Sequence, residues 1–221
     1  MKKSYLYLMT TFMLWGSLYV VSQFVLGKIP TFTVAMFRYL IAFIALSFIS
    51  LKGKKEKIEK SDYKYFFIMG FIGYFISVDC QLLGTKIAGG SMASLINSLN
   101  PIIISVMAMI ILNEKLEINK IIGIILSLFG VYMIIGTGAN IKFIGVLISF
   151  IAVIGWAFMS VISRKISNKY SALTLTKVSM LIATVCNIPV SFLEIQITHP
   201  LIQIDIGAIL GILYMGIVCT A

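Results

Sequence analysis

The sequence predicts an all-α polytopic membrane protein, and three observations carry that prediction. Of 221 residues, 60% are hydrophobic and only 12% are charged, far from the ~45–50% apolar and ~25% charged of soluble domains. The apolar residues fall in repeated runs close to the ~20 residues a helix needs to cross a bilayer. Between the runs lie short basic loops. In hydrocarbon only helices and closed barrels satisfy their own backbone groups, and runs of this length are helical.

The first run, Tyr5 to Leu26, follows Met1-Lys2-Lys3. It lacks an A-x-A-like cleavage site and precedes further runs, so it is a retained first span, not a signal peptide. The others extend over Phe32 to Leu51, Tyr65 to Leu83, Ser91 to Leu112, Ile121 to Thr137, Phe143 to Ser163, Ala172 to Leu193 and Ile206 to Ala221, eight in all. Cys80, Cys186 and Cys219 sit in separate runs with no disulfide or metal spacing, and no cofactor motif is present.

The net charge of +10 would point to nucleic acid in a soluble protein; here it sits in interspan loops and sets topology, so the expected partners are the lipid bilayer and a small solute, not nucleic acid. Thirteen of the 18 Lys and Arg residues fall on one side, including the run KGKKEKIEKSDYK, against Lys28, Lys86 and Lys142 on the other; Arg38 and Lys177 lie within spans. The positive-inside rule then gives a cytoplasmic N-terminus in a bacterial-type plasma membrane.

The chain also resembles itself. Leu14-Trp15-Gly16 matches Gly155-Trp156-Ala157 at a shift of 141, and Asp62 and Gly73 match Asp205 and Gly216 at a shift of 143. A five-span unit is odd, so its second copy enters the membrane from the opposite side, an inverted repeat of the transporter kind. The reading is a first repeat at 1–140 and a partial second at 141–221, with two further spans expected to complete it.

MLWGSLYVVSQFVLGKIPTFTVAMFRYLIAFIAL and LINSLNPIIISVMAMIILNEKLEINKIIGIILSLFGVYMIIG resemble the first half of an EamA-type member of the drug/metabolite transporter superfamily, and the likeness runs through the whole chain. It implies ten spans in inverted five-helix repeats, a central substrate cavity, and alternating access without ATP hydrolysis. The expected function is secondary transport of a small metabolite, an amino acid or related amphipathic solute, outward across the cytoplasmic membrane. A regulatory or channel-like membrane protein is the alternative. An enzyme is disfavoured, because the one histidine, His199, lies outside the spans and Asp79 is the only carboxylate well inside one.

Several residues interrupt the apolar runs. Pro101 is ten residues into its span, ~15 Å deep and so near mid-bilayer, where it removes a backbone N–H and frees a carbonyl. Ser94, Asn97, Ser98, Pro101 and Ser105 share a helical stripe, with Asn100 beside it. The stripe faces a substrate path or glues helices together, and both readings are open. Glu114-Lys115 mark the end of that span at the interface.

Arg38 and Asp79 lie at similar depths, ~9 Å and ~6 Å from one surface. Buried charges of this kind seek a partner or a cavity, so the pair is expected to meet near an outer gate, with Arg38 alternatively attracting a substrate carboxylate. A purely structural ion pair, or snorkelling of Arg38, competes with that reading. Lys177 is the pseudo-symmetric cation at the other mouth, with snorkelling an equal account. Trp15 and Trp156 are repeat-related and near mid-span, suited to a cavity wall or to packing.

Overall fold

The computed structural model describes residues 2–51, 56–113, 118, 121–123, 125, 126, 129 and 142–220. Most of the fifth predicted span and the Glu114-Lys115 pair lie outside the described residues, as do Lys52, Lys54, Lys55 and Lys115 of the basic loops. Six helical stretches are long and apolar enough to cross a membrane, and no strand occurs among the described residues. The protein is an all-α polytopic membrane protein.

Helix α1 runs over Lys2–Leu26 and α2 over Thr31–Ser50. The third stretch is continuous from Lys60 to Ala88 but changes its winding: a 3₁₀ turn at Lys60–Asp62, α3 at Tyr63–Ile68, a π segment at Met69–Ile76 and α4 at Ser77–Ala88. Gly89, at φ +88°, supplies a turn that a residue with a Cβ enters only under strain. The fourth stretch is split into α5, Gly90–Asn97, and α6, Asn100–Leu112. Then come α7, Phe143–Ile166, α8, Ala172–Thr198, and α9, Ile206–Leu213, which passes into a π segment at Tyr214–Val218.

The split at Ser98-Leu99 corrects the single stripe expected along the fourth span. Pro101 has no N–H to offer the Asn97 carbonyl, and the chain there closes tighter turns, Leu99 N–H donating to Ile96 O at 3.1 Å and Ile102 N–H to Leu99 O at 3.0 Å. Pro101 thus heads a new helix, where its fixed φ is favourable. Ser98 and Pro101 are exposed among the described residues, while Asn100 is buried.

The π segments occur at positions that the 143-residue shift superimposes, each around its glycine. A Cβ on Gly73 would collide with Met159 of α7, and one on Gly216 would come within 2.8 Å of Ile41 Cγ2 of α2. Small residues let backbones approach where lipid supplies no hydrophobic drive between helices. Alongside these contacts α2 lies along α8, and α4 along α7. Tyr39, Phe66, Leu82, Met180 and Met215 fill the interior.

Two charged ties hold opposite ends of the bundle. Lys28, just after α1, pairs with Asp205, just before α9. Lys169, just after α7, pairs with Asp62, just before α3, at 3.1 Å. Lys28 and Lys169 are 141 residues apart and Asp62 and Asp205 are 143 apart. Helix starts are capped in a matching manner. The Glu194 carboxylate accepts from Thr31 N–H and Phe32 N–H, each at 2.9 Å, and Glu56 accepts from Ser171 N–H at 3.0 Å, ahead of α8. Both carboxylates satisfy donors that a helix start leaves unpaired.

Candidate functional site

A cavity of ≈ 260 Å³ opens where α1, α2, the third stretch, the α5–α6 break, α7, α8 and the last stretch converge. Its walls are aromatic. Trp15 and Trp156 meet edge to face with centroids 6.2 Å apart, Trp156 meets Tyr74 at 5.7 Å, and Tyr74 meets Tyr39 at 5.8 Å. The Tyr39 hydroxyl donates to the Tyr74 carbonyl at 2.8 Å, a group in the π segment. Gln81 Nε2 donates to the Tyr19 hydroxyl at 2.6 Å, so a second polar pair lines the same space.

Arg38 supplies the cavity's charge. Its side chain is 5% exposed; Nε donates to Thr220 Oγ1 at 2.7 Å, while Nη1 has no hydrogen-bond partner. A guanidinium with a free donor at a desolvated, aromatic-walled space is suited to a planar anion such as a carboxylate. Asn97 and Asn100 complete the polar part of the wall, Asn100 Nδ2 donating to Asn97 Oδ1 at 2.5 Å across the break.

Of the residues singled out in the sequence, Trp15, Arg38, Asn97, Asn100 and Trp156 come together at this cavity. Pro101 makes the break but is not part of the lining. Asp79 and Arg38 do not pair: both Asp79 oxygens lack a hydrogen-bond donor, and the carboxylate lies off the cavity among α2, α4 and α8. Equal depth along two helices leaves their azimuth free, and Arg38 turns toward the last stretch. Lys177 instead donates to Ser50 Oγ at 3.0 Å, tying α8 to the end of α2. Tyr19, Tyr39, Tyr74, Gln81 and Thr220 were not singled out. The adjacency of Tyr39 to Arg38 was the one signal pointing toward any of them.

Outside the spans, the ties shift their own titrations. Hydrogen bonding from Lys28, then from Ala208 N–H, holds the Asp205 carboxyl below the usual carboxylate range. Contacts from Thr174 and Ser171 lower Glu56 in the same way, and Asp62 beside Lys169 raises that ammonium.

The model of the EamA-like transporter family matches residues 2–136 and again 143–221. The chain belongs to the EamA-like transporter family. Relatives of this EamA-like chain include the uncharacterized transporter YetK of Bacillus subtilis (strain 168), 27% identical over 81% of this chain and 57% of that protein. An uncharacterized transporter of Archaeoglobus fulgidus is 24% identical over 99% of this chain and 76% of its own length. A Salmonella typhimurium protein named "Probable amino-acid metabolite efflux pump" is 26% identical over 93% of this chain and 70% of that protein. The chain thus spans little more than half the length of the YetK relative.

Proposed function

We propose that this EamA-like protein is a secondary carrier for a small amphipathic solute bearing a carboxylate, of the amino-acid kind, working by alternating access through two inverted repeats at 1–140 and 141–221. The observation that carries the reading is Arg38, whose unpartnered Nη1 belongs to a buried guanidinium at the aromatic cavity. At ≈ 260 Å³ the space suits a metabolite more than a drug-sized ligand, whose sites reach up to ~1,000 Å³. Arg38 would hold the carboxylate, while Trp15, Trp156, Tyr39 and Tyr74 would receive the apolar body.

The name of the Salmonella relative supports both the amino-acid class and outward movement. The basic-loop asymmetry supports a cytoplasmic N-terminus, with Lys28 and Asp205 at the outer face. The pairing of the Lys28–Asp205 and Lys169–Asp62 ties on opposite faces fits two inverted units that exchange one contact each.

Stimulated exchange tests the assignment. Proteoliposomes preloaded with unlabelled amino acids should take up labelled amino acids faster than empty ones, and saturably. Uptake indifferent to preloading and linear in concentration would indicate a pore. Correctly folded protein that moves no solute would favour the regulatory reading.

A further inference from the structure

Three oxygens between α4 and α8 are buried without a hydrogen-bond donor: both of the Asp79 carboxylate and Oδ1 of Asn187. The two side chains are 4% and 0% exposed. Asn187 uses Nδ2 on the Ala183 carbonyl at 3.2 Å, which leaves its oxygen as an acceptor. The Asn187 amide stands beside the Asp79 carboxylate but is engaged with the Ala183 carbonyl and makes no full hydrogen bond to it, and a carboxylate left ionised inside a span is costly.

The surroundings do not supply the missing charge. Asn187 and Glu194 of α8 and Arg38 of α2 act on Asp79, Asn187 as a neutral amide, and Asp79 in turn acts on Cys80 of its own helix, Cys186 of α8 and Tyr39 of α2. Arg38 is the cation among these, and it is turned to Thr220. Helix α7 carries Arg164 and Lys165 only in its last turn, α5 has no charged residue, and the charges of α1 are Lys2 and Lys3 at its start. Hard metal cations gather about six oxygens, more than stand unsatisfied here. One hydrogen on Asp79 removes the charge and provides a donor for Asn187 Oδ1.

We propose that Asp79 is a proton-carrying site of the carrier, holding a proton against Asn187 while Arg38 engages the solute carboxylate and releasing it when Arg38 turns to Asp79. This rests on the carrier reading above. In the loaded state Asp79 is a carboxylic acid and the Arg38 guanidinium holds the solute anion. When the solute leaves, the Asp79 O–H bond breaks, the proton goes to water on the same side, and the Asp79 carboxylate pairs with Arg38. The sequence reverses on reloading. Solute and proton therefore move in the same direction, and the empty carrier returns with its two buried charges neutralised by each other.

The test uses the protein in proteoliposomes loaded with a mixture of labelled standard amino acids and a lumenal pH dye, followed in net efflux and in exchange. Wild-type efflux should raise the lumenal pH as protons leave with solute. Asp79→Asn is a neutral isostere with an N–H for Asn187, and it stands for the loaded form. It should keep exchange but lose net efflux and the pH change, its folding being checked separately by its unfolding midpoint in detergent. A pH change undiminished in Asp79→Asn, wild-type efflux without proton movement, efflux that carries sodium instead, or loss of exchange in folded Asp79→Asn would each overturn the proposal. Absence of exchange by the wild type would instead overturn the carrier reading.

Discussion

The indole rings of Trp15 and Trp156, 141 residues apart in sequence, touch edge to face with centroids 6.2 Å apart. Residues matched by the 141-residue shift therefore meet at the cavity wall, and Trp156 continues the contact to Tyr74. Trp156→Ala removes the ring common to both contacts. Loss of one aromatic partner, worth ~0.5–1.5 kcal/mol beyond area burial, should weaken solute binding by about two- to tenfold. Solute titration followed by the fluorescence of the remaining Trp15 would check this, and an unchanged midpoint would remove the ring pair from the site.

Gly73 and Gly216 each sit where a π segment presses on a neighbouring helix. Gly73→Ala would place a methyl against Met159, and overpacking of this sort costs about 1–3 kcal/mol. Its unfolding midpoint in detergent should fall clearly below wild type. Gly16→Ala is the control, because nothing lies within 4 Å of a Cβ built there.

Glu194 accepts two N–H groups at the start of α2, a helix with no side-chain cap of its own from Pro30. Glu194→Ala should cost ~1 kcal/mol, as removal of an N-cap acceptor does, and Glu194→Gln less, since an acceptor oxygen remains. Equal unfolding midpoints for Ala and wild type would show that water replaces the cap without loss.

The Lys28–Asp205 tie predicts a pH signature. The folded-state carboxyl of Asp205 is depressed, so its contribution is fully present above the unfolded carboxylate value of about 3.9 and is lost as pH falls through the lower folded-state value. Wild-type unfolding midpoints should therefore drop as pH falls below about 4. In Asp205→Asn that drop should be shallower, the remainder coming from groups such as Glu56. Superimposable pH profiles would contradict the assignment.

The helices were legible because bilayer thickness dictates the length of each apolar run. The break in the fourth stretch was legible in Asn100-Pro101, although the sequence did not reveal that the chain would start a new helix there and turn Pro101 away from the cavity. The site was legible where residues were costly in a span, as with Arg38, or repeated, as with Trp15 and Trp156. Tyr39 and Tyr74 were missed because a tyrosine in an apolar run looks the same whether it packs or lines a space. Depth alone pairs Arg38 with Asp79, but contact also requires that two side chains point toward each other around their helix axes. Lys177 shows the same limit. It is matched to Arg38 in depth yet bonded to Ser50.

The central claim, that Arg38 receives a solute carboxylate at an aromatic cavity, is tested most directly by counterflow with matched pairs: each amino acid against the amine that lacks its carboxylate, in wild type and in Arg38→Gln. Wild-type exchange should be driven by the carboxylate member of a pair and not by the amine, and Arg38→Gln should lose that preference along with most of the exchange. Equal stimulation by acid and amine, or full exchange by Arg38→Gln, would contradict the account.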